Sequence, residues 1–391
     1  MRRKEDRMEK KISLYAVGDL ILDEPGPMEP YFAYCKEELK KADVMIGHVE
    51  VPHTDRYLPS CIDIQAPPSK PEHLKVLKDL QFSVATVGGN HLYDCGPYGV
   101  VDTVETLKKL GIQTAGGGAT IYEARKPAVV ERKGMKIGVL SFNATGPKLG
   151  WATSIKPGAS YIEVDTSYQP VMDMPHSPCK IYSYMTADGE RLLREEVAKH
   201  KAECDLLVVA FHKGQAGRGG RPGWLCTYEV PMTHAAVEAG ADLVIGHHHH
   251  MLKGIEYYQG KPIFHGLGNF VTVTYAMTPG HNETDEMKAY MERRVREGRG
   301  QASYDPPYYP WGPESLPTMI ARFEVDEDRK VQAGFIPCKI DKTGAVQIYN
   351  RENGGEEILE FVRGLSGDMN FKTKFEWAED GTWVLTGEDT V

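Results

Sequence analysis

Residues 240–264 read GADLVIGHHHHMLKGIEYYQGKPIF. Leu243–Ile245 is a short apolar run of strand type that stops at Gly246, and four histidines, His247–His250, follow at once. Ahead of it, Pro231–Ala239 reads as a helix closed by Gly240, and behind it Ile263–His265 reads as another short strand. Polar side chains gathered where a strand ends, beside a glycine, mark the place where layered α/β sheets hold ligands. Expression tags lie at termini, whereas this histidine run is internal.

The same order recurs outward from this stretch. Ile12–Val17 is a β-type run ending at Gly18-Asp19, followed by a helix over Tyr31–Ala42 and a buried strand over Val44–Val49. Pro71–Leu80 reads as a helix with Leu74, Leu77 and Leu80 on one side, and Ser83–Val87 as a strand ending at Gly88-Gly89-Asn90-His91. Val100–Leu110 is an amphipathic helix stopped by Gly111. Ala128–Glu131 and Lys136–Phe142 read as a hairpin about Gly134; Asp188–His200 is a helix, and Leu206–Ala210 a strand ending at Phe211-His212. Such alternation predicts an α/β layered fold. Residues 146–185, rich in Pro, Ser and Tyr, read as an insertion. Residues 276–315, with a charged helical piece at Glu283–Arg299, read as a lid or insertion. Residues 316–391 open with a hairpin around the charged turn Asp326–Lys330 and are expected to complete the domain.

The chain has 391 residues, 41% hydrophobic and 26% charged, the balance of a globular protein of one large or two medium domains. A formal charge of −9 disfavours bulk attraction to an acidic polymer, so nucleic acid is not an expected partner. Met1–Lys11 is charged, and the apolar run after it is too short for a signal-peptide core. No stretch approaches the roughly 20 apolar residues of a membrane span. These observations predict a cytoplasmic protein without a membrane partner, and a homo-oligomer is compatible with them. The seven cysteines form no CxxC pair and read as reduced structural thiols.

Five segments carry candidate metal ligands, each after an apolar run: Asp19; His48 and Glu50; Asn90 and His91 with Asp94; His212; and His247–His250. Carboxylates, an amide oxygen and imidazoles suit a divalent transition ion such as Mn, Fe or Zn. Taken singly, each has an ordinary reading. Asp19 could cap a helix, Glu50 could be a solvated charge, Asn90 a turn residue and His212 a satisfied interior imidazole. Their joint placement points to a metal centre. Beside His212, Lys213, Arg218 and Arg221 lie in a glycine-rich segment; they are either an ordinary solvated loop or cations that neutralise an anionic small-molecule or polymeric substrate. Metal storage by the histidine run alone would leave Asp94 and the asparagine without a role.

The pieces GDLIL (18–22), GHVEVP (47–52), GGNHLYDCG (88–96), the stretch 240–264 and LGNF (267–270) resemble the capsule-biosynthesis CapA (poly-γ-glutamate synthesis) family, similar in fold to the calcineurin-like metallophosphoesterases. The resemblance covers residues 12–275 and implies a four-layer α/β/β/α sandwich holding one or two divalent transition-metal ions. By matching motif it implies Asp19, Glu50, Asn90, His212, His248 and His250 as metal ligands, with Glu50 bridging. It implies His91 as a proton donor that contacts substrate, which Asp94 would orient. Asn269 matches the asparagine of LGNF and, with His265, is expected on the substrate side.

The chain also departs from the pattern. Ile21 stands where metallophosphoesterases carry the histidine of Asp-x-His, so one ion or two both stay open. His48 replaces an asparagine. On a strand, residues 48 and 50 point the same way, so His48 is either a replacement ligand or a partner that orients Glu50. Lys213, His249 and His265 stand where the family has Trp, Pro and commonly Tyr. The implied activity is hydrolysis, a metal-activated water attacking a phosphoester or amide bond of an anionic small molecule or polymer. The alternative is a non-catalytic, polymer-handling component of poly-γ-glutamate or capsule synthesis.

Overall fold

Successive side chains of a strand point to opposite faces, so a strand buried on both faces needs a partner layer on each side. The computed structural model describes residues 11–23, 25–56, 58, 68–174, 176–216, 222–275, 285–296 and 312–388. In chain order the strands are β1 (Ile12–Asp23), β2 (Val44–Val49), β3 (Val84–Thr86), β4 (Gln113–Ala115), β5 (Gly117–Gly118), β6 (Ala128–Arg132) and β7 (Met135–Asn143). There follow β8 (Gly158–Ala159), β9 (Val164–Pro170), β10 (Cys179–Met185), β11 (Leu206–His212), β12 (Leu243–His247), β13 (Ile255–Tyr258) and β14 (Lys261–Phe264). The last are β15 (Asn269–Thr274), β16 (Pro317–Val325), β17 (Val331–Ile340), β18 (Val346–Ile348), β19 (Thr373–Trp377) and β20 (Val384–Glu388).

The larger sheet runs β19-β20-β17-β16-β1-β2-β3-β4, with β15 beside β1 and β18 beside β17. The smaller runs β13-β14-β12-β11-β7-β6. One core lies between them, where Leu14, Ala16, Ile46 and Phe323 meet Ile137, Val139, Val208 and Ile245. A second core covers the outer face of the larger sheet, where Tyr15, Met45 and Ala85 join Val100, Val104 and Leu107 of helix Gly96–Lys109. A third covers the outer face of the smaller sheet, where Leu207, Val209 and Phe211 join helices Ala187–Lys201 and Glu229–Glu238. The architecture is thus the α/β/β/α sandwich of metallophosphoesterase type. Helix Gly355–Asp368 plugs one end of the inter-sheet core through Ile358, Leu359, Val362 and Leu365.

Two segments differ from the sequence reading in a physically instructive way. Tyr31–Ala42 is not one helix but two short pieces, the 3₁₀ turn Glu29–Phe32 and the single α-turn Lys36–Leu39, joined through a three-residue hydrogen bond from Cys35 N–H to Phe32 O. Phe32, Cys35 and Leu39 still face the core, so the apolar spacing survives while the first turn tightens to 3₁₀ form. β1 runs six residues past Val17 because it changes neighbours. It pairs antiparallel with β16 through Val17, and parallel with β15 from Asp19 onward. Within residues 146–185, β9 and β10 form a separate two-stranded hairpin. Residues 276–284 and 297–311 of the expected lid lie outside the described residues, whereas helix Asp285–Arg296 falls within the expected helical piece. Among the described residues no helix is long and apolar enough to cross a membrane, and the six cysteines are free.

Candidate metal centre

Four neighbouring strands of the larger sheet set a polar row. Asn269 is the register partner of Asp19, Asp19 of His48, and His48 of Thr86. The row depends on Gly18. A Cβ there would lie 1.9 Å from Gly268 O, so only glycine lets the incoming 267–268 backbone come close enough for Gly268 O to accept from Asp19 N–H at 3.0 Å. Glu50 follows His48 by two residues just beyond β2, and so projects from the same face. From the smaller sheet, β11 and β12 end side by side with His212 opposite His247.

Past His247 the chain folds back through two left-handed, non-glycine residues, His248 at φ 90° and His250 at φ 55°. Such conformations cost of order 1–3 kcal/mol each and persist only when the surroundings enforce them. Here the enforcement is visible. His249 Nε2 lies 2.8 Å from Glu229 Oε2, His250 Nδ1 lies 2.9 Å from Asn269 Oδ1, and Asn269 Nδ2 donates to His250 O at 3.2 Å.

These elements bring the expected ligands together. His212 Nε2 lies 2.7 Å from Asn90 Oδ1 and 3.0 Å from His248 Nδ1. Asp19 Oδ2 and Glu50 Oε1 lie 3.4 and 3.3 Å from the two ring nitrogens of His250. Ligand atoms cluster within 4.8 Å of one another in three sets: Asp19, Glu50 and His250; Glu50, His212 and His248; and Asp19, His48 and His212. Among the described residues, Asp19 Oδ1, both Glu50 carboxylate oxygens, His48 Nε2, His212 Nδ1 and both His247 ring nitrogens are buried without a hydrogen-bond partner. Orphaned polar atoms at such density are costly unless a cation satisfies them, so the residues present fit a divalent metal.

The electrostatics agree. Burial lowers His48 to about 4, and His247 and His248 to about 3. His212 is held well below its ordinary value by burial and by the neighbouring imidazoles. Neutral imidazole is the form that binds metal. Burial would raise Glu50, but the His250 charge outweighs it and holds the carboxylate low; Glu50 and Asp19 in turn hold His250 high against burial. Burial and the adjacent Glu50 push Asp19 up to about 7. At the edge of this cluster His91 Nδ1 lies 2.7 Å from Asp94 Oδ2, with the His91 side chain 16% exposed.

Lys213 departs from the sequence expectation of a cation facing substrate. It is fully buried, donating to Glu229 Oε2 at 2.7 Å and to His265 O at 3.1 Å. A buried ammonium persists only when its charge is paired, and Glu229 uses it up. His265 likewise is engaged behind this pair, its Nε2 2.8 Å from Glu256 Oε2 and its ring stacked on Phe371. Arg218 and Arg221 lie outside the described residues. Glu229 and Thr86 were not anticipated. Neither stands in a motif, and each matters only through a contact made by folding.

Known proteins are similar to this chain in sequence. A PGA biosynthesis protein CapA of Bacillus subtilis (strain 168) is 28% identical over 270 residues, 66% of this chain and 63% of its own length. A capsule biosynthesis protein CapA of Bacillus anthracis is 25% identical over 281 residues, 68% of this chain and 61% of its own. A probable polyglutamine synthesis accessory protein of Mycobacterium tuberculosis is 31% identical over 207 residues, 51% of this chain and 48% of its own. The chain therefore spans between about half and under two thirds of the length of these relatives. The family model for the bacterial capsule synthesis protein PGA_cap matches residues 13–274, from the first core residues of β1 to the end of β15, and the chain belongs to that family.

Proposed function

We propose that the protein is a metal-dependent hydrolase that cleaves a phosphoester or amide bond in an anionic small molecule or polymer. The supporting observation is the convergence of buried ligand atoms of Asp19, Glu50, His48 and His212 that have no hydrogen-bond partner among the described residues, next to the His91–Asp94 couple. Asp19, Glu50, Asn90, His212, His248 and His250 would hold one or two divalent ions. A bound ion of this kind polarises the scissile group and activates water. The chain's own residues supply the rest. Asp94 fixes the His91 ring through Nδ1, leaving Nε2 to hand a proton to the leaving group. The charge of His91 bears on Glu50 and His248, which sets the couple beside the ligand cluster.

The test is elemental analysis of untagged protein after exposure to Mn, Fe or Zn, followed by a screen of phosphoesters and γ-glutamyl amides with each loaded form. The expected result is stable metal and hydrolysis of at least one class, lowered roughly 10²–10⁴-fold in His91→Gln at unchanged metal content. No metal uptake, or full metal with no turnover of either class, would move the polymer-handling role to the front.

A further inference from the structure

We propose that His48 is itself a metal ligand on the Asp19 side of the centre, and that this added imidazole gives the site a preference for nitrogen-favouring ions, such as cobalt, zinc or ferrous iron, over manganese. The proposal rests on the metal-centre reading above, and three independent features carry it.

The first is position. His48 and Asp19 are register partners on adjacent parallel strands, so their side chains leave the sheet together. A ligand-type nitrogen of His48 lies within 4.8 Å of ligand atoms of both Asp19 and His212. Two residues beyond Asp19 on the same strand face stands Ile21, which offers no ligand atom. The neighbouring strand thus brings an imidazole to a side of the centre that its own strand leaves apolar.

The second is the tautomer. His48 Nδ1 lies 3.0 Å from Thr86 Oγ1, and the Thr86 hydroxyl is placed to donate to Gly47 O at 3.4 Å. A hydroxyl has one proton. If Thr86 gives it to Gly47, it accepts from His48 Nδ1–H, and the lone pair is left on Nε2. That nitrogen is buried and has no hydrogen-bond partner among the described residues. The space before it is kept by Gly89, where a Cβ would come within 3.0 Å of His48 Nε2 and 3.5 Å of His212 Cε1.

The third separates this role from the competing one, in which His48 would merely orient Glu50. Both Glu50 carboxylate oxygens lack a hydrogen-bond partner among the described residues, so no hydrogen bond joins them to His48. His48 is packed instead between His212 and His247, at 4.7 and 4.6 Å between ring centroids. Replacing a hard oxygen by imidazole in a donor set moves preference up the divalent series, away from manganese.

The experiment dialyses the purified full chain against equal concentrations of Mn(II) and Co(II) under anaerobic conditions. It reads the bound ratio by elemental analysis and the cobalt ligand field by visible absorption. His48→Asn is expected to lower the Co:Mn ratio at least about tenfold and to shift the cobalt bands. Thr86→Val, which keeps shape but removes the tautomer lock, is expected to weaken cobalt affinity about 10–100-fold, and it decides the matter if His48→Asn does not fold. An unchanged ratio and spectrum in both variants would overturn the ligand role while leaving the hydrolase proposal standing. Failure of the wild-type chain to bind either ion would overturn both.

Discussion

Lys213 Nζ lies 2.7 Å from Glu229 Oε2, and neither side chain is exposed to water. Glu229 Oε2 is also 2.8 Å from His249 Nε2, and its Oε1 accepts from Cys226 N–H at 2.7 Å. One carboxylate therefore ties the end of β11, the start of helix Glu229–Glu238 and the left-handed turn of the histidine run. Removing one partner of a buried pair leaves an uncompensated charge. Lys213→Met and Glu229→Gln are each expected to cost about 3–5 kcal/mol, and Lys213→Met/Glu229→Leu together much less than the sum. Denaturant unfolding of the variants checks this. A midpoint for Lys213→Met equal to wild type would show that the pair holds nothing in place.

Asp94 is expected to act through His91 rather than on a metal ion. Its Oδ2 lies 2.7 Å from His91 Nδ1, and its side chain is only 4% exposed. Asp94→Asn keeps the shape but loses the acceptor that holds the proton on Nδ1. The expected result is a fall in kcat of roughly 10²-fold or more with bound metal and KM little changed. Metal content measured beside kcat separates this from a ligand role, in which both would fall together.

The metal-free protein is expected to lose stability on mild acidification. His48 is lowered to about 4, and His247 and His248 to about 3, each chiefly by burial. In the unfolded chain these groups titrate near 6.5. Below that pH the unfolded state takes up protons that the folded state refuses, so stability present above pH 6.5 is lost as pH falls toward 3–4. His250 works in the opposite sense: raised to about 9 by Glu50 and Asp19, it contributes below 6.5 and is lost as pH rises through 9. Below pH 6.5 His250 is protonated in both states and does not oppose the fall; the raised Asp19 does, but it stands alone against the lowered His48, His212, His247 and His248, so a net fall is expected between pH 6.5 and 4, read as Tm against pH after chelation. Bound metal, which replaces those protons, is expected to raise Tm throughout the neutral range. A flat profile for the chelated protein would contradict the burial of these rings as neutral groups.

What the sequence made legible, and what it did not, divides along one physical line. Asp19, Glu50, Asn90, His212, His248 and His250 each stand beside an apolar run or a glycine, and such local signals place them at strand ends without any tertiary information. The outer helices were legible for the same reason, through their spacing. Roles that depend on which strand lies beside which were not. His48 gains its meaning from register pairing with Asp19 and Thr86, residues far away in the chain. Lys213 looked like a loop cation because glycines follow it, and only folding brings Glu229 to it. β1 was read as ending at Val17 because Gly18 punctuates the run, whereas that glycine is where the strand trades β16 for β15.

That exchange of partners gives the sharpest test of how the fold builds the centre. A Cβ on Gly18 would lie 1.9 Å from Gly268 O and 2.8 Å from Gly268 C, and the obstacle is backbone, which cannot rotate away. Gly18→Ala must part β1 from β15, and with them Asp19 from Asn269, though it alters no ligand. The expected cost is about 1–3 kcal/mol or more of stability, with weaker metal binding. Gly364, in the exposed part of helix Gly355–Asp368, has nothing within 4 Å of the same added atom. Gly364→Ala is expected to stabilise by about 0.5–1 kcal/mol and to leave metal binding alone. The two single-methyl changes should therefore shift the unfolding midpoint in opposite directions, and only the first should change metal affinity. Equal metal affinity in Gly18→Ala would mean that Asp19 reaches its place without the β1–β15 seam.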